Sequence, residues 1–197
     1  SDRVVLLLSD HAQDALDPLG LSAADLKADP HGTAAVARQF NTRKSIAQTQ
    51  AGVNWRHSFG DGNLLRETSL SLYGGQRSVV QFLAIPALTQ RNPTQNPPTW
   101  QRHGGGVIDF DRDYDGAELR VALAPMPGLD AIAGVSIERQ RDVRLGHENF
   151  TGDPRTPTAL GVQGNLRRDE TNRARTRDGF VQAEWALTPA LTATAGV

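Results

Sequence analysis

Two long runs of alternating apolar and polar residues stand out along the chain, and a short turn joins them. Apolar side chains occupy odd positions in residues 45–59 and even positions in residues 64–85. A period of two places side chains alternately on the two faces of a β-strand. Between the runs, the sequence Gly-Asp-Gly-Asn at 60–63 supplies residues that accept the positive φ angles of a tight turn. The pattern predicts a β-hairpin with one apolar and one polar face.

The length of these strands is unusual for a globular domain. They run for roughly fifteen and nineteen residues, whereas strands of globular proteins average about 5–6 residues. A transmembrane strand needs about 9–11 tilted residues to cross the hydrocarbon layer. A long strand that is apolar on one face and polar on the other suits a wall between lipid and water.

The same alternation predicts five further strands, which brings the total to about seven. They lie at residues 3–9, 105–124, 129–140, 181–187 and 191–197. In the second of these, the apolar positions change from even to odd midway, which predicts a β-bulge at Asp115-Gly116.

Long and short connections alternate strictly between the predicted strands. Residues 10–42, 86–104 and 146–175 are long, and all 11 prolines fall in connections or at strand ends. Within the first, the spacing of Ser22 and Asp25 predicts a short helix that Pro30 stops, and residues 33–40 are a second helical turn. The second holds four prolines and is predicted to be extended. Long loops at one end and short turns at the other are typical of outer-membrane barrels and have no reason in a soluble sandwich.

Composition narrows the function classes. The 197 residues carry a net charge of −1 and no Cys, so neither bulk attraction to nucleic acid nor a disulfide or thiolate metal site is expected. No run of about 20 apolar residues predicts a transmembrane helix, and no signal peptide is visible. The chain opens on an apolar run and closes on ALTATAGV, without the turn or breaker residues that usually end a domain. We therefore expect a piece of a longer protein. The aromatic content of 6% is low for a barrel with aromatic girdles, which counts mildly against the barrel interpretation.

No catalytic motif is present, so the chain is not predicted to be an enzyme. The aspartates that begin at Asp109 resemble the opening of a calcium loop when aligned on Asp111, but the twelfth position is Ala122 where a Glu is required. The alternative is an acidic ladder, meaning aspartates at alternate positions on the water-facing side of a barrel strand. The five histidines have no zinc-like spacing, so no metal site and no intrinsic cofactor are expected.

Arginine supplies 19 of the 21 basic side chains. Two explanations of this bias stay open: a GC-rich genome, and bidentate recognition of phosphate or carboxylate groups. The third long connection is locally basic, and its arginines are candidates for binding an anion through charge-assisted hydrogen bonds; a solvated charged loop is the alternative. The candidate ligand-binding residues, all in predicted long loops, are Trp100, Arg102, His103, Arg167, Arg168 and Arg173. Arg175 and Arg177 share the same basic stretch.

Several segments resemble TonB-dependent outer-membrane receptors of the ferric-siderophore type. They are QDALDPLGLSAADLKADP, FNTRKSIAQTQAGVNWRHSFGDGN, GGVIDFDRDYDG, GHENF with LGVQGNLRRDE, and DGFVQAEWALTPALTATAGV. Together they cover nearly the whole chain. The resemblance implies an all-β fold: an antiparallel meander of about seven long strands from a 22-stranded transmembrane barrel, with short helical turns in one loop. Residues 1–197 are then a partial barrel domain without the plug domain and the C-terminal strands.

The resemblance also implies a function and partners. The parent protein is expected to import a ferric siderophore across the outer membrane of a Gram-negative bacterium, driven by the TonB-ExbB-ExbD complex through the missing plug and TonB box. Outer-membrane lipid and lipopolysaccharide are further expected partners, and nucleic acid is not. Two alternatives stay open, a passive porin-like channel and a soluble calcium- or carbohydrate-binding β-module.

Overall fold

A computed structural model describes residues 1–60, 62–91 and 103–197. Its main feature is one seven-stranded antiparallel sheet with the order β1-β2-β3-β4-β5-β8-β9. The strands of this sheet are β1 Asp2–Leu16, β2 Arg43–Ser58, β3 Leu65–Phe82, β4 Val107–Met126, β5 Leu129–His147, β8 Leu166–Thr188 and β9 Leu191–Gly196. A small hairpin, β6 Phe150–Asp153 with β7 Thr156–Leu160, forms a second sheet. Three short helices complete the described fold: α1 Ala23–Ala28, α2 Ala35–Phe40 and α3 Ala87–Gln90.

The predicted all-β antiparallel meander is confirmed. Each long strand pairs with the long strand that follows it in the chain, and only the β6–β7 hairpin stands outside this sequence. No Greek-key crossing occurs among the described strands. The sheet is open, because β1 and β9 form its two edges and do not pair with each other.

The predicted hairpin is formed by β2 and β3, which pair without interruption from Arg43 opposite Phe82 to Ser58 opposite Glu67. The two strands contain 16 and 18 residues, close to the predicted lengths. Gly60 and Gly62 have φ angles of 83° and 88°, which residues with a Cβ rarely adopt. The glycines therefore fix the turn and, with it, the register of the pair.

Over the half of the sheet near the short turns, the register brings most apolar positions of the seven strands to one face, which we call the apolar face. One row of directly opposed residues contains Val53, Leu72 and Ile137. The eight residues that the sequence assigns to a single apolar surface share this face: Val53, Trp55, Leu70, Leu72, Val135, Ile137, Val181 and Trp185. Much of the face is solvent-exposed; Leu6 is 73% and Val135 57% exposed.

The opposite face, the polar face, is bonded across strands. Arg112 donates to both carboxylate oxygens of Asp142 at 2.8 Å, and the Asn54 amide donates to Ser71 at 2.8 Å. Tyr73 lies opposite Gly116, and Tyr114 lies opposite Gly75. The two tyrosine hydroxyls donate to Glu138 at 2.9 Å and to Gln50 at 3.0 Å, in opposite directions across the sheet.

The predicted bulge at Asp115-Gly116 is wrong. Both residues keep a continuous register with β3 and with β5. The apolar positions of β4 change parity for another reason, because each face of the sheet changes polarity along the strand. Leu119 and Asp111 lie on the same face, the first near the short turns and the second near the long connections. The acidic ladder therefore continues the apolar face and does not lie on the polar face.

Two predicted connections are partly strand. β1 continues seven residues beyond the predicted end at Ser9, to Leu16, and β5 and β8 pair from Leu129 opposite Trp185 to His147 opposite Leu166. Arg167, Arg168 and Arg173 accordingly lie on β8, and their assignment to a loop is wrong. In residues 10–16 and 166–178 most side chains on both faces are polar, so the sequence shows little alternation there.

The helical predictions for the first connection are confirmed, and the prediction that the second connection is extended is wrong at its start, residues 87–90. Ser22 is the N-cap of α1, and its hydroxyl accepts a hydrogen bond from the Asp25 N–H at 3.1 Å. α2 lies within the predicted second turn of helix. The start of the proline-rich connection, predicted to be extended, forms α3 instead. Among the described residues, no helix has the length and apolar character needed to cross a membrane.

Candidate functional site

The buried residues of the described chain gather at the end of the sheet that carries the long connections, the loop end. There, α2, α3 and the β6–β7 hairpin meet the ends of β3, β4 and β5. The buried apolar side chains are Ala37, Phe40, Phe82, Ala87, Val107 and Phe150. Gln90, Glu148 and Asn149 are at most 1% exposed. Because buried polar groups must find partners, these three side chains organise the loop end.

Gln90 and Asn149 join two connections that are distant in sequence. The Gln90 amide donates to the Asn149 Oδ1 at 2.6 Å, and its Oε1 accepts from the Asn149 N–H at 3.1 Å. Asn149 in turn donates to the carbonyls of Leu83 at 2.5 Å and Ile85 at 3.2 Å. Asn149-Phe150-Thr151 matches an N-glycosylation sequon, and its Asn149 amide is fully buried and hydrogen-bonded in the folded chain.

Glu148 lies between two arginines. Its Oε1 is 3.3 Å from the Arg91 Nε and 4.0 Å from the Arg167 Nη1, and its Oε2 accepts from the Asn165 amide at 3.0 Å. Burial lowers the pKa of the Arg167 guanidinium, and the charge of Arg91 lowers it further, against the opposing effect of Glu148. One carboxylate therefore ties together the connection after β3, the connection after β5 and the start of β8.

A β-bulge places Arg167 in this cluster. His147 pairs with Leu166 and Gly146 pairs with Arg168, so Arg167 is an extra residue on β8 without an opposite partner in β5. A bulge redirects the side chain of the extra residue. Here it directs Arg167 to Glu148, while Arg168 stays on the polar face.

Beside the cluster, a groove of about 390 Å3 opens on the polar face. Its nitrogen-bearing side chains are His103, Arg144 and Arg168, and Gly104 and Gly146 also line it. The His103 Nδ1 accepts a hydrogen bond from the Gly105 N–H at 3.0 Å. Burial lowers the pKa of His103, and the nearby charges of Arg167 and Arg168 lower it further, so the ring is neutral near pH 7.

The two arginines of the groove differ in their pairing. Arg168 makes an ion pair with Glu170 at 3.3 Å. Arg144 is half-buried and has no ion-pair partner among residues 1–60, 62–91 and 103–197. A half-buried guanidinium that lines a groove can donate up to five N–H hydrogen bonds to an anion. The groove can therefore hold a small anionic group.

The structure brings together three of the six predicted ligand-binding residues. His103 and Arg168 line the groove, and Arg167 lies behind it with Glu148. Arg173 lies on the other face, directly opposite Arg141. Trp100 and Arg102 lie outside the described residues.

Sequence reasoning missed Arg144, Gln90, Arg91 and Glu148. The sequence feature nearest to a signal for Glu148 is the segment GHENF, where a carboxylate and an amide directly precede the aromatic Phe150. The structure shows that Phe150 is fully buried. Alternation did not mark Arg144 as a binding residue, because it lies on the face of β5 opposite to Val143 and Leu145 and its partners in the groove come from other segments.

No group of three His, Asp or Glu side chains in the described chain is arranged to hold a metal ion. The aspartates from Asp109 to Asp115 form a column at alternate positions of β4 and do not form a loop. No protein-family model matches the chain.

Proposed function

We propose that this chain is part of the barrel wall of an outer-membrane TonB-dependent receptor that imports a ferric siderophore by energy-coupled active transport. The observation that carries the proposal is the two-faced meander: six long strands and the six-residue β9 pair in chain order, with one face apolar and exposed near the short turns and the other bonded by polar side chains. A strand with these faces is suited to separate lipid from water.

The exposed apolar face is the strongest argument against the soluble β-module. Soluble proteins rarely expose contiguous apolar patches larger than a few hundred Å2. Val4, Leu72, Val135 and Val181 are each between 44% and 58% exposed and belong to one band across the sheet. Lipid acyl chains would cover such a band, while water would contact the polar face.

The groove at the loop end supports the choice of an anionic cargo. Arg144 and Arg168 line it together with a neutral His103. Many ferric siderophore complexes are anionic, and arginine binds carboxylate or catecholate-type oxygens through paired N–H groups. We assign these residues to ligand capture at the extracellular end, before the plug and the TonB-ExbB-ExbD complex act.

Iron uptake by a receptor-deletion strain tests the proposal. The full-length receptor gene is restored on a plasmid, and uptake of radiolabelled iron is measured with a panel of ferric chelates. We expect one chelate class to depend on the gene, and Arg144→Ala to weaken its binding about tenfold, the effect of losing one strong charged hydrogen bond. Arg155→Ala, in the exposed β6–β7 turn, is the matched control.

Energy dependence separates the importer from a passive porin-like channel. Uptake by an importer stops when the proton gradient is collapsed or when TonB is deleted, whereas diffusion through a porin continues. If uptake of every chelate is unchanged in the deletion strain, the import proposal is wrong. If uptake depends on the gene but not on TonB, the porin-like alternative replaces it.

A further inference from the structure

The histidine in the loop-end groove is held by a hydrogen bond that only its neutral form can make. Of the described side chains that line the groove, only His103 can change its charge near neutral pH. Its Nδ1 accepts the Gly105 N–H at 3.0 Å, and a ring nitrogen that accepts a hydrogen bond carries no proton. A second proton on the ring would go to this nitrogen and would face the Gly105 N–H. Protonation therefore breaks the bond and frees the ring to turn.

The backbone at Gly105 is anchored, so it cannot follow the ring. Gly105 has a φ angle of 89°, and a Cβ built on it would overlap the His147 carbonyl. The next residue, Gly106, donates to that same carbonyl at 2.8 Å and accepts from the Leu83 N–H at 2.8 Å. When His103 gains a proton, the side chain must move and the Gly105 N–H stays in place.

Positive charge faces His103 from β5 and β8. Arg144 and Arg168 line the groove with it. Burial lowers the pKa of His103, and the charges of Arg167 and Arg168 lower it further. Lys44 of β2 lies on the same face of the sheet, two strands away from β4. Arg144 lies on β5, which is paired on both sides, so its surroundings do not depend on an edge strand.

The carboxylates nearest to the groove along β5 and β8 are engaged or lie on the other face. Asp169 is opposite Leu145 on the apolar face. The others pair with arginines: Glu170 with Arg168 at 3.3 Å, Glu148 with Arg91 at 3.3 Å, and Asp142 with Arg112 at 2.8 Å. Within the described chain, His103 has no carboxylate partner and Arg144 has no ion pair. The negative charge that would stabilise a protonated His103 must therefore come from a ligand.

We propose that the groove takes up a proton together with its anionic ligand, and that the Nδ1 of His103 receives this proton from solvent. An anion bound to Arg144 cancels part of the positive charge that keeps the ring neutral. The Nδ1–H, released from Gly105, can then donate a charge-assisted hydrogen bond to the anion. The proposal rests on the anion-binding groove of the proposed function and adds the proton as the second ligand of that site.

Reciprocity gives the proposal a measurable consequence. If the anion favours protonation of His103, protonation favours binding of the anion by the same factor. Anion affinity should therefore rise as the pH falls, by at most about tenfold per pH unit for one linked proton. A groove that binds anions through its arginines alone has no such dependence, because guanidinium groups stay charged throughout this range.

Three variants separate the proton from the anion. His103→Gln keeps an oxygen that can accept from the Gly105 N–H but cannot become charged. Arg144→Ala removes the unpaired guanidinium and leaves the histidine in place. His31→Gln changes an exposed histidine in the connection after β1 and is the matched control for the first variant.

The test uses the full-length receptor in detergent micelles, with inorganic sulfate as the probe because its own charge does not change near neutral pH. Isothermal titration calorimetry measures the Kd at about pH 5.5 and 7.5, within the range where histidine titrates. We expect sulfate to bind about tenfold tighter at the lower pH, with proton uptake shown by the dependence of the heat on the buffer. His103→Gln should lose both effects, and His31→Gln should keep them. Arg144→Ala should weaken binding about tenfold at either pH.

A sulfate Kd that does not change with pH, no sulfate binding at either pH, or an unchanged pH dependence in His103→Gln would each overturn the proposal. Iron uptake is measured in parallel on the same variants. TonB-dependent uptake of one chelate class, together with sulfate binding that takes up no proton, would reject this inference alone. Uptake of every chelate unchanged by deletion of the receptor would reject the proposed function, whatever the sulfate result.

Discussion

A glycine on the polar face gives the sharpest test of the sheet packing. Gly75 lies between Tyr114 on β4 and Thr49 on β2. A Cβ built on Gly75 would be 2.6 Å from the Tyr114 hydroxyl and 2.7 Å from the Thr49 carbonyl oxygen. The tyrosine can move away, at the expense of its hydrogen bond to Gln50. The carbonyl cannot, because it belongs to the backbone of the paired strand.

The expected effect of Gly75→Ala follows from these contacts. Overpacking by one methyl group costs about 1–3 kcal/mol. The lower entropy of the unfolded alanine chain returns about 0.4–1 kcal/mol. We therefore expect a net loss of about 1–2 kcal/mol in the free energy of unfolding. At Gly179, a Cβ has no neighbour closer than 3.9 Å, so Gly179→Ala should be neutral or stabilise by up to about 1 kcal/mol.

Urea unfolding in detergent micelles, followed by tryptophan fluorescence, measures both variants against the unmodified protein. The midpoint should fall for Gly75→Ala and stay or rise for Gly179→Ala, with an unchanged slope in each case. Both glycines lie in long strands of the same sheet, so strand propensity alone predicts the same change for both. An equal shift of the two midpoints would refute the packing argument.

Three further predictions concern the loop end and the exposed face. Glu148→Ala leaves the buried charges of Arg91 and Arg167 without a carboxylate and should cost about 3–5 kcal/mol of local stability. Faster proteolysis of the β6–β7 hairpin would show this loss. Glu148→Gln keeps an oxygen that can accept from Asn165, so it should lose less stability. Because the pKa of His103 is lowered in the folded state, the unfolded chain binds the proton first, so stability falls as the pH drops below about 6.5; His103→Gln should remove that part of the urea-midpoint profile. The 197-residue chain without detergent should associate through its apolar face and open edges, and a monomer in light scattering would contradict the assignment of faces.

Much of the fold could be predicted because one face of the sheet is apolar over a long stretch. Period-two alternation placed the strand ends of the β2–β3 hairpin within three residues, and the Gly-rich sequence between the strands predicted the turn. The Ser22 cap was predicted because capping depends on local spacing. These signals are carried by neighbours in sequence, so no tertiary information was needed.

The sequence failed where both faces of a strand are polar. The loop-end half of β8 lacks alternation, so residues 166–175 were assigned to a connection although they pair with β5. The site suffered for the same reason. Arg167 reaches Glu148 only through a bulge, and Arg144 meets Arg168 and His103 only across strands and a connection. Neither arrangement has a signature within a single segment.

The apolar face becomes charged on β1, β4, β5 and β8 and polar without charge on β2 and β3, along a line that adds a geometric argument for the proposed membrane location. The line crosses the strands obliquely. From β1 to β8 it moves four residues toward the short turns, which is two successive positions on the same face. The last apolar or glycine position and the first charged one are Leu8 and Asp10 on β1, Ile137 and Arg139 on β5, and Gly179 and Arg177 on β8.

These four residues span about 14 Å along the strands, and the five steps from β1 to β8 span about 24 Å across them. The line is therefore inclined by about 30° to the perpendicular of the strands. Strands of transmembrane barrels tilt by about 35–45° from the membrane normal, so a flat lipid surface would cross them at a similar angle. The short turns descend in the same direction, since β4 and β5 still pair at Met126 and Leu129, below the rows where the β2–β3 turn begins. Such an oblique line fits the proposed barrel wall, whose tilted strands a flat lipid surface would cross at an angle.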